Sequence, residues 1–148
     1  MDEEFMKAAL EEAQKAYDAD EVTIGAVLVF QNQIISRAYN QVESLQDATA
    51  HAEMLVLRQA AEKLGNWRLI DCTLYCTLEP CLMCAGALIL SRVKTLVWGA
   101  PDFRHGAGGS LMDAFALDHP IHQVEVRRGV LQDRAAYLLK TFFQEKRA

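Results

Sequence analysis

The sequence lacks any long apolar run. None of its apolar stretches approaches the roughly 18 residues that a membrane-spanning helix requires, and Met1 is followed by acidic residues where a secretory signal would be basic. We therefore expect no membrane association and a cytoplasmic location. The chain also has no linker, low-complexity tract or internal repeat. Its 148 residues, 51% of them hydrophobic, match one ordinary domain with a substantial core. We expect a single domain over residues 1–148.

Cysteine is scarce, and its placement argues against a disulfide framework. Disulfides need an oxidising compartment, whereas two of the four cysteines form Cys81-x-x-Cys84 with a histidine, His51, upstream. That pattern is typical of metal ligation. Cys72 and Cys76 lie about 13 Å apart on a predicted strand, and two sulfurs on one zinc ion lie within about 4 Å of each other. We predict that these two are buried small hydrophobic residues.

Positive charge is also in deficit, with a net charge of -5 that argues mildly against a nucleic-acid partner. The distribution of charge along the chain is polarised. Residues 1–21 carry eight acidic and two basic residues, whereas residues 127–148 carry six basic and two acidic ones. From charge alone, two solvated helix faces are the better interpretation.

Helical and extended patterns alternate along the chain. Helices are predicted over residues 3–18, 50–64, 80–91 and 130–146, with one or two helical turns over 111–117. Strands are predicted over 25–30, 33–39, 72–78, 93–98 and 124–127, and residues 101–110 form a glycine-rich loop. The first two strands should pair as a hairpin, and Gly65 should cap the second helix. This order predicts an α/β sandwich with helices on both faces of one sheet.

The metal-ligand residues fall at two predicted helix starts. Cys81 and Cys84 lie three residues apart after Pro80, which opens a helix, so both can face one ion. A helix N-terminus also favours the thiolate that zinc requires. His51 completes the set if the two N-termini converge. Three protein ligands leave a tetrahedral zinc ion one open position, as in catalytic sites.

Glu53 distinguishes a catalytic zinc site from a structural one. A hydrolytic site needs a group that takes a proton from water and passes it to the leaving group. Taken alone, Glu53 is better explained as an acidic residue that favours its helix N-terminus. Together with His51 and Pro80-Cys81-x-x-Cys84, however, it matches the signature of zinc nucleobase deaminases.

Nearly the whole chain resembles the bacterial tRNA-specific adenosine deaminases of the cytidine deaminase-like superfamily. The resemblance rests on four runs, which are residues 25–29 (GAVLV), 49–53 (TAHAE), 77–87 (TLEPCLMCAGA) and 106–113 (GAGGSLMD). It implies a three-layer α/β/α sandwich with one mixed five-stranded sheet, one zinc ion per subunit and a homodimer. It also implies hydrolytic deamination of adenosine to inosine at the wobble position, in the anticodon loop of a tRNA.

The resemblance further implies roles for individual residues. Glu53 would shuttle the proton, and His51, Cys81 and Cys84 would bind zinc. Asn40 would contact the substrate base, Asp102 would lie near the target ribose, and the N–H groups of Ala52 and Cys81 would hydrogen-bond the attacking water. The base pocket would include Val22, Ile24 and Leu78. RNA contacts would come from Arg104, His105, Phe142, Phe143, Lys146 and Arg147, although either phenylalanine fits a core position equally well.

The sequence departs from the family pattern at several loop positions. Thr23 and Ala48 replace usual prolines, Gln41 and Val42 replace a usual basic residue and proline, and residues 103–105 (FRH) differ from the usual loop. None of these changes removes a ligand or Glu53. Two alternatives stay open: a deaminase of a free base or nucleoside such as guanine or cytidine, and a non-catalytic zinc-bearing RNA-binding subunit.

Overall fold

The structure, a computed structural model, describes residues 1–146. The helices and strands in chain order are α1 (Asp2–Asp18), β1 (Gly25–Phe30), β2 (Gln33–Tyr39), α2 (Val42–Leu45), α3 (Ala52–Leu64), β3 (Thr73–Leu78), α4 (Leu82–Leu90), β4 (Thr95–Ala100), β5 (Glu125–Arg128) and α5 (Gln132–Lys146), with a 3-10 turn at Ala114–Ala116. Within this range, no helix combines the length and the apolar character that crossing a membrane requires.

The five strands form one mixed sheet in the order β2-β1-β3-β4-β5. β1 is antiparallel to β2 and β3, whereas β3, β4 and β5 run parallel to one another. The predicted hairpin is confirmed, since Phe30 pairs with Gln33. The turn residues Gln31 and Asn32 have φ of 50° and 65°, as a two-residue turn of type I′ requires.

Helices cover both faces of the sheet, so the predicted three-layer α/β/α sandwich is confirmed. α1 and α5 pack on one face, and α3 and α4 share a core with the other. Strand β3 alternates between the two layers: Leu74 and Cys76 belong to the core under α3 and α4, whereas Tyr75 belongs to the core under α1.

Some element boundaries differ from the sequence pattern. β4 begins at Thr95 instead of residue 93, because the chain turns at Arg92, whose φ is 65°. Helix α4 begins at Leu82, which leaves Cys81 as its N-cap. Helix α2 was not predicted because four residues are too few to display a helical period. Gly65 does cap α3 in a left-handed conformation, with φ of 65°.

The sheet topology brings several chain segments to one edge. The carboxyl ends of β2, β3 and β4 lie there, next to the start of the antiparallel strand β1. Helix α4 leaves this edge directly after β3. The loop after β4 returns to it, since Gly106 forms an isolated bridge with Cys81. This is the edge at which α/β folds place their sites.

Candidate active site

Three metal-ligand side chains meet between the N-termini of α3 and α4. His51 is the N-cap of α3, Cys81 is the N-cap of α4, and Cys84 lies in the first turn of α4. His51 Nδ1 is 3.6 Å from the sulfur of Cys81 and 3.6 Å from that of Cys84. All three ligand atoms lie within 4.8 Å of one another. The structure thus brings the three residues of the sequence motif together.

This spacing fits a tetrahedral metal ion. Bonds of about 2.0–2.1 Å to nitrogen and about 2.3 Å to sulfur place the N and S ligands of zinc about 3.6 Å apart. One imidazole and two thiolates form a donor set that zinc prefers. Because the group has only three protein donors, a bound ion keeps a position for water or substrate.

Hydrogen bonding within the triad prepares one thiolate. Cys84 donates to the sulfur of Cys81, which lowers the pKa of Cys81 to about 3 and raises the pKa of Cys84. The hydrogen bond between His51 and Cys81 raises the pKa of the imidazole. Zinc binds cysteine as a thiolate, so the lowered pKa of Cys81 favours metal ligation.

Glu53 is a buried carboxyl group beside the triad. It is the second residue of α3, its exposed fraction is 4%, and it lines the same cavity as His51 and Cys81. Burial raises the pKa of its carboxyl group, because a low-dielectric surrounding disfavours the charged form. A carboxyl group with a raised pKa is suited to accept and return a proton near neutral pH.

Both helix N-termini leave backbone donors free at the site. The carbonyls of His51 and Cys81 accept the first intrahelical bonds, from Leu55 at 3.0 Å and from Ala85 at 2.9 Å. Among the described residues no side chain caps either helix, and the N–H groups of Ala52 and Cys81 have no acceptor there. These donors can bind a negatively charged oxygen near the metal position.

A cavity of about 850 Å³ opens next to the triad. Its walls come from the segment before β1, the two helix N-termini, the loop after β4 and the last turns of α5; the lining residues are Val22, Ile24, His51, Glu53, Leu78, Glu79, Cys81, Pro101, Asp102, Phe103, Arg104, His105, Leu139 and Phe143. A smaller cavity of about 270 Å³ also borders His51 and reaches Asn40. A planar, partly polar ligand of nucleobase size fits such a volume.

Known proteins are similar to this chain over nearly its whole length. The MafB19-like deaminase family matches residues 1–147, and the tRNA-specific adenosine deaminase of Bacillus subtilis (strain 168) is 51% identical over 99% of this chain and 91% of its own length. The chain belongs to the tRNA-specific adenosine deaminase family. The chloroplastic tRNA(adenine(34)) deaminase of Arabidopsis thaliana is 49% identical over 97% of this chain, which spans 12% of that longer protein.

Solved structures agree with this membership. A tRNA:A34 deaminase, studied for A-to-I editing at the wobble position of transfer RNA, superimposes with a TM-score of 0.88 and 43% identity, over 92% of this chain and 99% of that one. The guanine deaminase of Nitrosomonas europaea has a TM-score of 0.82 and 29% identity, over 95% of this chain and 83% of its own. The fold is thus shared by deaminases of RNA and of a free base.

The family resemblance assigns two polar residues, Asn40 and Asp102, to the substrate. Asn40 follows β2 and is buried, and its side-chain amide makes no hydrogen bond within the described residues. Asp102 lies in the loop after β4, where its Oδ1 accepts the N–H groups of Arg104 at 3.0 Å and His105 at 3.1 Å. Both side chains border a cavity that also borders His51.

At the end of α5, the structure contradicts one predicted RNA contact, that of Phe142. Phe142 is fully buried against Tyr17 and Phe143, so its side chain is core and cannot stack on a base. Phe143 is 48% exposed and lines the cavity. Lys146 is tied to the end of α1, where it bonds the Tyr17 carbonyl at 2.6 Å and Asp20 at 2.7 Å. The predicted contact at Arg147 lies outside the described residues.

Cys72 and Cys76 are buried free cysteines, as predicted. Among the described residues, neither belongs to a metal-ligand group. Burial raises the pKa of the Cys72 thiol to about 11 and raises that of Cys76. The neighbouring Glu53 carboxyl group also raises the pKa of the Cys76 thiol.

Sequence reasoning missed two buried glutamates at the edges of the site. Glu79 accepts hydrogen bonds from the loop after β4. Glu21 accepts the N–H groups of Glu43 and Ser44 and the Ser44 hydroxyl, and so caps the short helix α2. Each is fully or almost fully buried. Their sequence positions, before a proline and before the first strand, do not distinguish them from exposed acidic residues.

One departure from the family pattern has a structural consequence. The hydroxyl of Thr23 is buried between two residues that line the cavity, and no described residue hydrogen-bonds it. An unpaired buried hydroxyl costs about 1–3 kcal/mol. Thr23 is therefore a source of local instability at the edge of the site.

Proposed function

We propose that this protein deaminates adenosine to inosine at the wobble position of a tRNA anticodon. The observation that carries the proposal is the buried Glu53 carboxyl group, which faces the same cavity as an open triad of His51, Cys81 and Cys84. A structural metal site has no use for such a group, whereas hydrolysis requires it.

His51, Cys81 and Cys84 would hold one zinc ion per subunit. When bound, zinc supplies a Lewis acid that makes a water molecule nucleophilic at neutral pH. The free N–H groups of Ala52 and Cys81 would orient this water. Glu53 would take a proton from it and pass that proton to N1 of adenine as the oxygen attacks carbon six. It would then carry the second proton, from the hydroxyl added at carbon six, to the leaving nitrogen. The carbon–nitrogen bond then breaks, ammonia leaves and inosine remains.

The remaining cavity walls would bind the target nucleotide. The Asn40 amide offers both a donor and an acceptor to the edge of a base, and Asp102 would accept a ribose hydroxyl. Val22, Ile24 and Leu78 would pack on the base. The exposed ring of Phe143 can stack on a neighbouring base, and Arg104 and His105 stand where phosphates would pass. An anticodon loop suits this site because its bases are already outside a duplex, which lowers the unstacking cost.

The test is a deamination assay on an anticodon stem-loop with adenosine at the wobble position. We expect inosine at that position and no reaction when guanosine replaces the wobble adenosine. Deamination of another adenosine in the control RNA would contradict wobble specificity. A Glu53→Ala protein that keeps zinc and RNA affinity and also keeps full activity would contradict the mechanism and favour a zinc-bearing RNA-binding subunit with catalysis elsewhere.

Deamination of a free base is the second candidate, and one observation favours it. The guanine deaminase of Nitrosomonas europaea has the same fold at 29% identity, so this scaffold also accepts a free purine. The two functions are separated by supplying guanine, cytidine and adenosine without RNA. Turnover of any of these at a rate similar to that of the stem-loop would support the second candidate.

We also propose a homodimer that works in the cytoplasm. A groove between α3 and α4, lined by Met54, Leu57, Trp67 and Leu90 among others, exposes apolar surface. Trp67 is 53% exposed and Leu90 is 64% exposed, which suits a contact with a second subunit. Sedimentation of the wild type and of a Leu90→Glu variant tests this. We expect a dimer for the wild type and a monomer for the variant; a monomeric wild type would contradict the proposal.

A further inference from the structure

Glu79 is a buried carboxylate that the loop after β4 surrounds. Its exposed fraction is 2%. Oε1 accepts the Asp102 N–H at 3.0 Å and the Ser110 hydroxyl, and Oε2 accepts the N–H groups of Gly108 at 2.8 Å and Ser110 at 3.0 Å. Within residues 1–146, no lysine, arginine or histidine forms an ion pair with it. Neutral donors from one loop therefore satisfy the carboxylate.

The loop is packed directly against this side chain. A Cβ atom on Gly106 would lie 2.4 Å from Glu79 Cδ, and one on Gly108 would lie 3.3 Å from Glu79 Cγ and 2.9 Å from Trp98 Nε1. Only glycine lets the backbone approach this closely. Close packing on the carboxylate thus explains Gly106 and Gly108 of the glycine-rich loop.

Glu79 also joins the loop to the metal-binding segment. It lies two residues before Cys81, the Ala107 N–H donates to the Pro80 carbonyl at 2.8 Å, and Gly106 bridges to Cys81. The loop residues Asp102 to His105 form the cavity wall beside the triad. Glu79 therefore holds the substrate-facing loop to the metal-binding segment together with these backbone contacts.

We propose that Glu79 is a positioning residue for substrate recognition, acting through Asp102 and the residues that follow it. The inference rests on the proposed function, since it assigns this wall to the target nucleotide. A carboxylate is needed because all four of its hydrogen bonds are accepted. The amide nitrogen of a glutamine is a donor and cannot accept the N–H groups that face it. At least one hydrogen bond between this side chain and the loop would therefore be lost.

The test compares Glu79→Gln with Glu12→Gln. Glu12 is a matched control because it is also a buried glutamate, but it bonds Lys15 and Arg37 and does not line the cavity. Ser110→Ala is a milder second variant that removes only the hydroxyl donor to Glu79. Three readouts are needed: steady-state inosine formation on the stem-loop, zinc content, and hydrogen exchange of the amides from residues 102 to 110.

For Glu79→Gln we expect KM for the stem-loop to rise about tenfold, because a hydrogen bond to a charged group is lost, with a much smaller change in kcat. Exchange of the loop amides should become faster while zinc content stays at the wild-type level. Ser110→Ala should change KM in the same direction by about twofold to fivefold. Glu12→Gln should leave KM and loop exchange unchanged.

Faster loop exchange in Glu79→Gln and Ser110→Ala together with an unchanged KM would overturn the proposal. Glu79 would then hold the loop in place, but the position of the loop would not affect substrate recognition. A parallel loss of zinc and activity would also overturn it and assign Glu79 to the metal segment. If the wild type forms no inosine, the proposed function fails. Unchanged loop exchange in Glu79→Gln would also overturn the proposal, because it would mean that Glu79 does not hold the loop in place.

Discussion

The two walls of the cavity are built in different ways. The metal wall consists of the N-termini of α3 and α4, which position His51, Cys81, Cys84 and Glu53. The substrate wall consists of the segment before β1, the loop after β4 and the end of α5. On this wall, Glu79 and Glu21 replace the regular hydrogen bonds of secondary structure.

This difference separates chemistry from selection. Groups that move protons and hold a metal ion tolerate little displacement, so they lie on rigid elements. Groups that choose the substrate lie on loops, where sequence change is better tolerated. Deaminases of RNA and of guanine share the fold.

The largest effect is expected on the metal wall, from Cys84→Ala. Removal of one of three ligands should abolish zinc retention and with it all measurable deamination. Cys72→Ala is the matched control, because Cys72 is also a buried free cysteine but lies outside the triad. It should keep zinc and activity. Zinc measurement by atomic absorption, with an activity assay, checks both; a Cys72→Ala protein that lost its zinc would contradict the ligand assignment.

Glu53→Gln should remove proton transfer and leave the metal in place. We expect kcat to fall by about 10²–10⁴, with zinc content and KM close to those of the wild type. Asp102→Asn, on the substrate wall, should instead act mainly on KM, because an asparagine oxygen can still accept the two loop N–H groups. Steady-state kinetics of both variants test the division; a Glu53→Gln effect confined to KM would argue against it.

Phe142 and Phe143 are adjacent in α5, but Phe142 belongs to the core and Phe143 lines the cavity. Phe142→Ala should destabilise the fold by about 3–5 kcal/mol, since the ring is fully buried. Phe143→Ala should leave stability nearly unchanged but weaken RNA binding by about 1–3 kcal/mol, the usual value of one base–aromatic stack. Urea unfolding and fluorescence anisotropy with a labelled stem-loop measure the two quantities. Equal effects of the two substitutions on binding would refute a stacking role for Phe143.

The smallest effect is expected far from both walls, where Arg127 bonds Asp2 at 2.8 and 3.0 Å. This guanidinium holds the pKa of the Asp2 carboxyl group below its usual range. The folded pKa is therefore lower than the unfolded one. The pair's contribution, about 0.2–1 kcal/mol, is present above about pH 4 and is lost as the pH falls through the folded pKa.

Thermal unfolding of the wild type and of Asp2→Asn, compared from pH 7 down to pH 3, checks this sign. The difference in Tm should be largest near neutral pH and should shrink toward pH 3, while deamination at neutral pH stays the same in both proteins. A difference that grows on acidification would contradict the assigned ion pair.

How much the sequence could predict follows the same division. The metal wall was predictable because helix starts have local signals, such as Pro80 directly before the N-cap of α4. The Cys-x-x-Cys spacing puts Cys81 and Cys84 at the start of α4, and the His-x-Glu spacing puts His51 and Glu53 at the start of α3. The sheet and its hairpin were predictable from the apolar strands around Gln31 and Asn32. Helix α2 and the roles of Glu21 and Glu79 were not, because they depend on contacts between residues about 20 to 30 positions apart.

The sequence also could not predict that Phe142, and not Phe143, is buried. Two adjacent phenylalanines near the end of a helix have the same propensity, and only the packing of α5 on Tyr17 makes one of them core. The family resemblance assigned both to RNA. Tertiary packing decided between them, as it commonly does at helix ends.

The most direct test of the account is a competition in one reaction. The purified protein is mixed with a stem-loop that carries the wobble adenosine, and with adenosine, cytidine and guanine, all at equal concentration. The products are quantified by liquid chromatography and mass spectrometry. We predict inosine at the wobble position of the stem-loop, with no uridine, xanthine or free inosine. Formation of a free product without inosine in the RNA would contradict the assigned substrate.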